Sequence, residues 1–220
     1  MFRKNFKVKE SLKQLFNFSR YGRGLRYFFY DIKYGYRYLG RRIKNGDDLK
    51  GWHGSQNSDY DALHKMFLEV SINKDDVIVD VGCGKGRVFN YLLSKGIKNK
   101  LIGIEVDVAI ANFTIRRLQK YDHVKILIQD VEKDNSLPPE GTIFYLFNPF
   151  TDRIVEKFCN QLEKRIKDGH YKNKDRPVIL YYNCSRSYIF EKSSLWKIKK
   201  LGTISHTHLS AAIFEPSNTI

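Results

Sequence analysis

From residue 77 to residue 182, short apolar runs alternate with amphipathic stretches, and this alternation restricts the fold more than any other feature of the chain. Runs at 77–81, 101–105, 124–128, 142–147 and 178–182 read as strands, and the stretches at 87–95, 108–120 and 152–167 read as helices. Strands joined through helices pair in parallel and carry helices on both faces. Ser58 followed by Asp61 reads as a capping box, opening a helix that sends Leu63, Met66, Phe67 and Val70 inward. At the far end, 196–201 and 208–214 read as an antiparallel pair closing one edge. The expected fold class is therefore α/β, a mostly parallel seven-stranded sheet with helices on both faces.

The 220 residues suit one such domain with an appendage, and 42% apolar residues supply its core. The appendage is expected at residues 1–50, a basic, aromatic, helical arm, with the α/β domain at 51–220. Of the net charge of +15, the first 50 residues hold +10. Leu25, Phe28, Phe29, Ile32, Tyr36, Leu39 and Ile43 recur at helical spacing and predict one apolar face that docks. Tyr27, Tyr30, Tyr34 and Tyr38 fall on the opposite face. Two readings of those tyrosines stand side by side: packing under another part of the chain, or a surface for nucleic acid or an anionic membrane. Gly35 implies either a close backbone approach or a helix break.

Cys83, Cys159 and Cys184 lie far apart, without the spacing of a disulfide framework or a zinc site, so no metal is expected. No run approaches the roughly 18 uninterrupted apolar residues of a membrane span, and 1–19 lacks a signal-peptide apolar block, which points to the cytoplasm, with peripheral membrane contact as an option.

The first strand ends in Asp80-Val81-Gly82-Cys83-Gly84-Lys85-Gly86-Arg87, a glycine-rich turn running straight into a helix. Glycines there let backbone approach a ligand, and the helix N-terminus offers N–H groups. The G-x-G-x-x-G spacing of a dinucleotide site is not met, because the third glycine comes one residue early, which disfavours a nicotinamide oxidoreductase.

An acid followed by G-x-G-x-G resembles the first motif of the class I S-adenosylmethionine-dependent methyltransferases, whose sheet is Rossmann-like, and the resemblance extends over residues 60–214. It implies S-adenosyl-L-methionine as cofactor. Asp80, Gly82, Cys83, Gly84 and Gly86 would line the cofactor site, Glu105 would accept from the ribose hydroxyls, Asp130 would lie near the adenine, and Tyr60 would cover the cofactor. Asn148-Pro149-Phe150, after the fourth strand, resembles the Asn-Pro-Pro-aromatic motif of enzymes acting on amino or amide nitrogen, with one proline missing. By that resemblance Asn148, Pro149 and Phe150 form the catalytic set: the Asn148 carbonyl holds the acceptor nitrogen and the Phe150 ring stabilises developing charge. The plain alternative is a strand end followed by an Asn-Pro turn.

Gly84-Lys85-Gly86-Arg87 also gives a partial resemblance to small protein-lysine methyltransferases, so N-methylation of a protein amine is placed first among the acceptors. RNA or DNA methylation using the basic arm is the alternative, and a small molecule stays open. A catalytically inactive binding protein that keeps the cofactor fold is the reading from another class. No catalytic base stands out. Tyr145 is one option, His53 reads as a loop residue, and His206 and His208 are expected to share one face of a strand.

Overall fold

The computed structural model describes residues 20–40, 56–147, 150–172, 175–206 and 208–217. Helices α1 (Arg20–Gly35) and α2 (Tyr60–Leu68) precede β1 (Ile78–Val81), α3 (Arg87–Ser94), β2 (Leu101–Glu105), α4 (Val108–Leu118) and β3 (Val124–Ile128). There follow β4 (Ile143–Phe147), α5 (Asp152–Lys167), β5 (Val178–Tyr182), the short α6 (Tyr188–Glu191), β6 (Trp196–Thr203) and β7 (Ser210–Pro216). The strands form one seven-stranded sheet in the order β3-β2-β1-β4-β5-β7-β6. β1 to β5 run parallel, and β7 lies antiparallel between β5 and β6. The order reverses at β1, between β2 and β4, and in open α/β sheets this switch point opens a crevice at the carboxyl ends of the strands.

Alternate strand residues feed two cores. Ile78, Leu101, Ile143, Tyr145, Val178 and Leu180 join Leu63, Met66 and Phe67 of α2 and Phe89 and Leu92 of α3 on one face. Val79, Ile102, Phe144, Leu146, Ile179 and Tyr181 join Val155, Phe158 and Leu162 of α5 and Phe190 of α6 on the other. β1, β2 and β5 are buried at every position, as strands covered on both faces must be.

The α2 cap differs from the capping-box expectation by one residue. Asp59 is the N-cap and its carboxylate accepts from the Asp61 and Ala62 amides. Ser58 instead turns inward, where its Oγ accepts from the Tyr145 hydroxyl at 2.8 Å.

The arm helix docks by the face opposite to the expected one. Leu25, Phe28, Phe29 and Ile32 stand 39% to 65% exposed, while Asp31 is buried. Tyr27 and Tyr30 pack at the edge of the first core. The reason lies in what α1 meets, which is the polar start of α3 and the acidic cap of α2 rather than an apolar groove. Asp31 takes Arg87 side-on, at 3.2 Å from Nε and 2.7 Å from Nη2, and also accepts from the Tyr60 hydroxyl at 2.8 Å and the Leu39 amide at 3.2 Å. Arg26 pairs with both oxygens of Asp61, and the Tyr27 hydroxyl donates to Asp59. Both outcomes expected of Gly35 occur at once: it ends α1, and a Cβ there would collide with the Arg117 and Asn90 side chains. Ile43 lies outside the described residues.

A buried ion pair stripped of one partner leaves an uncompensated charge, which costs about 3–5 kcal/mol. Asp31→Ala is therefore expected to lower the unfolding free energy from urea titration by an amount in that range, and an unchanged free energy would show that the Asp31–Arg87 pair contributes nothing to the fold.

Candidate functional site

The turn after β1 opens into the crevice with three left-handed glycines, Gly82, Gly84 and Gly86, at φ +76°, +51° and +76°. Gly86 is the N-cap of α3, and a Cβ on it would lie 2.8 Å from Arg117 and 3.0 Å from Thr114. The turn is gripped from α4: Thr114 Oγ1 donates to the Gly84 carbonyl at 2.8 Å, and Arg117 Nη2 donates to the Lys85 and Gly86 carbonyls at 2.6 and 3.2 Å. Glu105, at the tip of β2, accepts from the Gly84 amide through Oε2 and the Asp107 amide through Oε1, each at 2.9 Å. A carboxylate offers about four lone-pair directions, so both oxygens can still accept from a ligand. Burial pushes the Glu105 carboxyl above its ordinary range despite these amides.

Asp80, on β1 beneath the turn, is 3% exposed. Burial, with the nearby Glu105 charge, raises its carboxyl well above the usual carboxylate range. An acid held this way favours a cationic partner, which would restore the ionised form.

Across the switch point, on the β4–β5 side, a second group converges. Phe147, the half-buried last residue of β4, stacks on Tyr182, the last of β5, with ring centroids 4.6 Å apart and planes 29° from parallel. The Tyr182 hydroxyl shares a 2.8 Å hydrogen bond with Ser205. Next to Ser205, His206 Nδ1 lies 2.9 Å from Asp59 Oδ2. Asp59, Asp61 and His206 bring ligand-type atoms within 4.8 Å of one another. Arg26 already neutralises Asp61, and Tyr27 already donates to Asp59.

The expected site residues fall into place unevenly. The structure brings Asp80, Gly82, Gly84, Gly86 and Glu105 together at the turn. The Cys83 side chain turns inward against Gly103 of β2, burial raising its thiol, so only its backbone belongs to the turn. Asp130 is half-buried, and its Oδ1 accepts from the Glu132 amide in a local turn after β3. Tyr60 is committed elsewhere: its hydroxyl donates to Asp31 and the Arg87 guanidinium lies 5.3 Å over its ring, so it belongs to the arm interface. Asn148 and Pro149 lie outside the described residues, as does His53. Phe150 is buried as part of the second core. Tyr145 is fully buried and its phenol is raised well above its ordinary value, so it stays protonated near neutrality and cannot act as a base. His206 and His208 sit in the connection between β6 and β7, not on a strand, His208 at φ +58°. Phe147, Tyr182 and the Asp59–His206 pair escape a reading of the sequence, whose one local signal there is a pair of aromatic strand ends.

No family model matches the chain. The ribosomal RNA small subunit methyltransferase A of Thermotoga neapolitana is 21% identical over 167 residues, covering 72% of this chain and 64% of that protein. An rRNA adenine N-6-methyltransferase of Bacillus licheniformis is 26% identical over 141 residues, covering 62% of this chain and 47% of that protein. The chain thus spans less than two-thirds of the length of either. The structure of a SAM-dependent methyltransferase from Aquifex aeolicus matches with a TM-score of 0.51 at 17% identity, over 70% of this chain and 88% of that one. The fold is that of the class I methyltransferases.

In a class I methyltransferase fold, the chemistry of the donor set can be tested against S-adenosylmethionine, which carries an ammonium group and a ribose diol. The residues fit. Asp80 would offer a buried acid to the ammonium group, Glu105 would offer the diol oxygens already held in place by two amides, and the glycines would leave room for backbone approach. Because both carboxyls are raised in the free protein, each keeps its proton to higher pH than a free carboxyl does. A cation favours the ionised forms, so binding should release protons, and affinity should fall as the pH drops through the window between the ordinary carboxylate range and the raised values. Titration calorimetry in two buffers of different ionisation enthalpy should give different heats, with the difference shrinking in Asp80→Asn. Equal heats for the unsubstituted protein would show that the carboxyls are ionised before the ligand arrives. Glu105→Ala, which removes two charge-assisted hydrogen bonds, is expected to weaken binding roughly a hundredfold.

Proposed function

We propose that the chain transfers a methyl group from S-adenosylmethionine to RNA, with an exocyclic base amine as the acceptor. The observation that carries the cofactor half is the placement of a glycine turn over a buried Asp80 and beside Glu105 at the switch point of the sheet. The acceptor half is supported by the relatives, which are named for ribosomal RNA and, in one case, for adenine N-6. They favour nucleic acid over the protein amines placed first from the sequence. The +10 charge of the first 50 residues suits a polyanion.

When bound, S-adenosylmethionine supplies an electrophilic methyl group on a sulfonium. The protein's work is alignment and exclusion of water, since in-line displacement gains most from correct positioning of the two reactants. Asp80 and Glu105 would fix the two ends of the cofactor. On the opposite side of the crevice we assign the stacking contact for the base to Phe147 rather than Phe150, because Phe147 keeps a part-exposed ring backed by Tyr182, whereas Phe150 packs into the second core. By the motif resemblance, Asn148 would accept a hydrogen bond from the base amine and so direct the amine lone pair toward the methyl carbon. An exocyclic base amine is neutral at physiological pH, so it needs no deprotonation before transfer, consistent with the protonated state of Tyr145; as the bond to nitrogen forms, the sulfur–methyl bond breaks and its electron pair stays on a neutral thioether, and the surplus N–H proton passes to water.

Incubating the full chain with labelled S-adenosylmethionine, ribosomal RNA and ribosomal protein separately should place label in the RNA, and nuclease digestion should recover it on a base amine. Label in protein with none in RNA would overturn the acceptor; cofactor binding without label in any fraction would favour a fold retained for binding alone. Phe147→Ala should leave cofactor affinity unchanged while costing about 1–3 kcal/mol of RNA affinity, the usual worth of one base–aromatic stack. An unchanged KM for RNA would remove Phe147 from the site.

A further inference from the structure

Positive charge gathers where the end of α1 meets α4. Residues 20–40 hold five Lys or Arg against one acid, Asp31, which Arg87 already takes, and residues 108–121 hold three against none. Phe113 and Arg116 share one face of α4, and Lys120 follows on the same side just past its end. The two segments interlock. The Arg37 guanidinium lies 5.7 Å from the Phe113 ring centroid, Lys120 Nζ sits 3.8 Å over the Tyr36 ring, and the Tyr36 and Tyr121 hydroxyls meet at 3.5 Å. Lys33 Nζ rests 5.3 Å over the Tyr34 ring. Lys33, Arg37, Arg116 and Lys120 are all exposed, and among the described residues none of them pairs with a carboxylate. Exposed lysines elsewhere do find one: Lys100 meets Glu140, Lys199 meets Glu69 and Lys200 meets Glu191. A cation held over a ring keeps its orientation and stays available to an anion.

Tyr36 supplies an independent observation. Its φ is +59°, the left-handed conformation just beyond the end of α1, where glycine is the usual occupant and an L side chain is strained. Gly35, which would adopt that conformation freely, lies inside the helix instead. The strain falls on the one residue whose ring lies beneath Lys120 and beside Tyr121. The surface also adjoins the crevice, because Arg117 of α4 grips the glycine turn, and Leu39 and Gly40, shortly after Arg37, are tied to Lys85 and Arg87.

We propose that this α1–α4 surface binds the RNA acceptor through its phosphate backbone. Lys33, Arg37, Arg116 and Lys120 make the phosphate contacts, and Tyr36 holds Lys120 in place. The inference rests on RNA as the acceptor and adds where the polymer is held while a base enters the crevice. Contacts of this kind release counterions and fix position without reading sequence.

The test is fluorescence anisotropy of a labelled ribosomal RNA hairpin titrated with the full chain at several KCl concentrations, with methylation of the same RNA measured in parallel. Arg116→Gln combined with Lys120→Gln removes two of the contacts. Lys164→Gln combined with Lys197→Gln removes the same charge from α5 and β6 as a control. The first pair should weaken binding roughly tenfold or more at about 0.1 M salt and flatten the logarithmic salt slope by about two, for cognate and unrelated RNA alike. KM for RNA should rise with kcat retained, and cofactor affinity without RNA should stay as it was. The control pair should leave the slope unaltered. Tyr36→Gly, which relieves the left-handed residue, should hold or raise the thermal midpoint while weakening RNA binding severalfold; a lower midpoint with unchanged RNA affinity would confine Tyr36 to the fold. A parental slope and KM in the first pair, in a protein that still methylates RNA, would overturn the surface and leave the acceptor intact. Label in protein with no binding to RNA would overturn both. Loss of binding to phosphatidylglycerol vesicles in the first pair, with RNA binding undiminished, would give the surface to lipid.

Discussion

A turn with three left-handed glycines in five residues has almost no side chains with which to hold itself, so its shape must be imposed from outside. Here α4 imposes it. Thr114 and Arg117 take the carbonyls of Gly84, Lys85 and Gly86 in succession, while Glu105 takes the Gly84 amide from the other side. Arg117 is itself oriented by Asn90 of α3 at 2.7 Å, and burial lowers its pKa to about 10, which still leaves it charged at neutral pH. One guanidinium therefore ties the turn to the helices on either side of it. The absence of a Cβ at Gly86 is what lets it come so close.

The arm shows why a periodic pattern can locate a helix and still mislead about its orientation. The spacing of Leu25, Phe28, Phe29 and Ile32 defines an apolar stripe correctly, but which face docks depends on the surface it meets. α1 rests on Arg87, Asn90 and the Asp59–Asp61 cap, so a helix carrying Asp31, Arg26 and Tyr27 along one side is the complement. Had the apolar stripe turned inward, Arg87 would have been buried without the Asp31 carboxylate, at a cost of about 3–5 kcal/mol. The stripe is a true helical signal; what the spacing could not carry is which face of that helix docks.

Strands were more legible than the site. The central parallel strands β1, β2, β4 and β5 are covered on both faces and read as mainly apolar runs, and the expected bounds of the parallel strands fall within a residue or two of the observed ones. The glycine turn and Glu105 were legible because their geometry is local: a strand, a turn, and the tip of the adjacent strand. Phe147 and Tyr182 meet only through the register of β4 on β5, 35 residues apart, and Asp59 meets His206 only because the β6–β7 connection returns over the start of α2. No spacing in the sequence encodes either. Tyr60 shows the converse. Its position before the first strand suggested a lid, yet the nearest strong acceptor was Asp31 on the arm.

The backbone just after α1 is fastened to the turn itself. The Leu39 carbonyl accepts from Lys85 Nζ at 3.0 Å, and the Gly40 carbonyl accepts from Arg87 Nη2 at 3.0 Å. Two regions joined in this way cannot respond separately. Thermodynamic reciprocity requires that any ligand holding the turn more tightly raise the free energy of peeling the arm away, and that anything clamping the arm tighten the ligand by the same factor. A polymer seated on the amino-terminal segment would then act at a distance on the occupancy of the crevice, coupling engagement of one reactant to retention of the other.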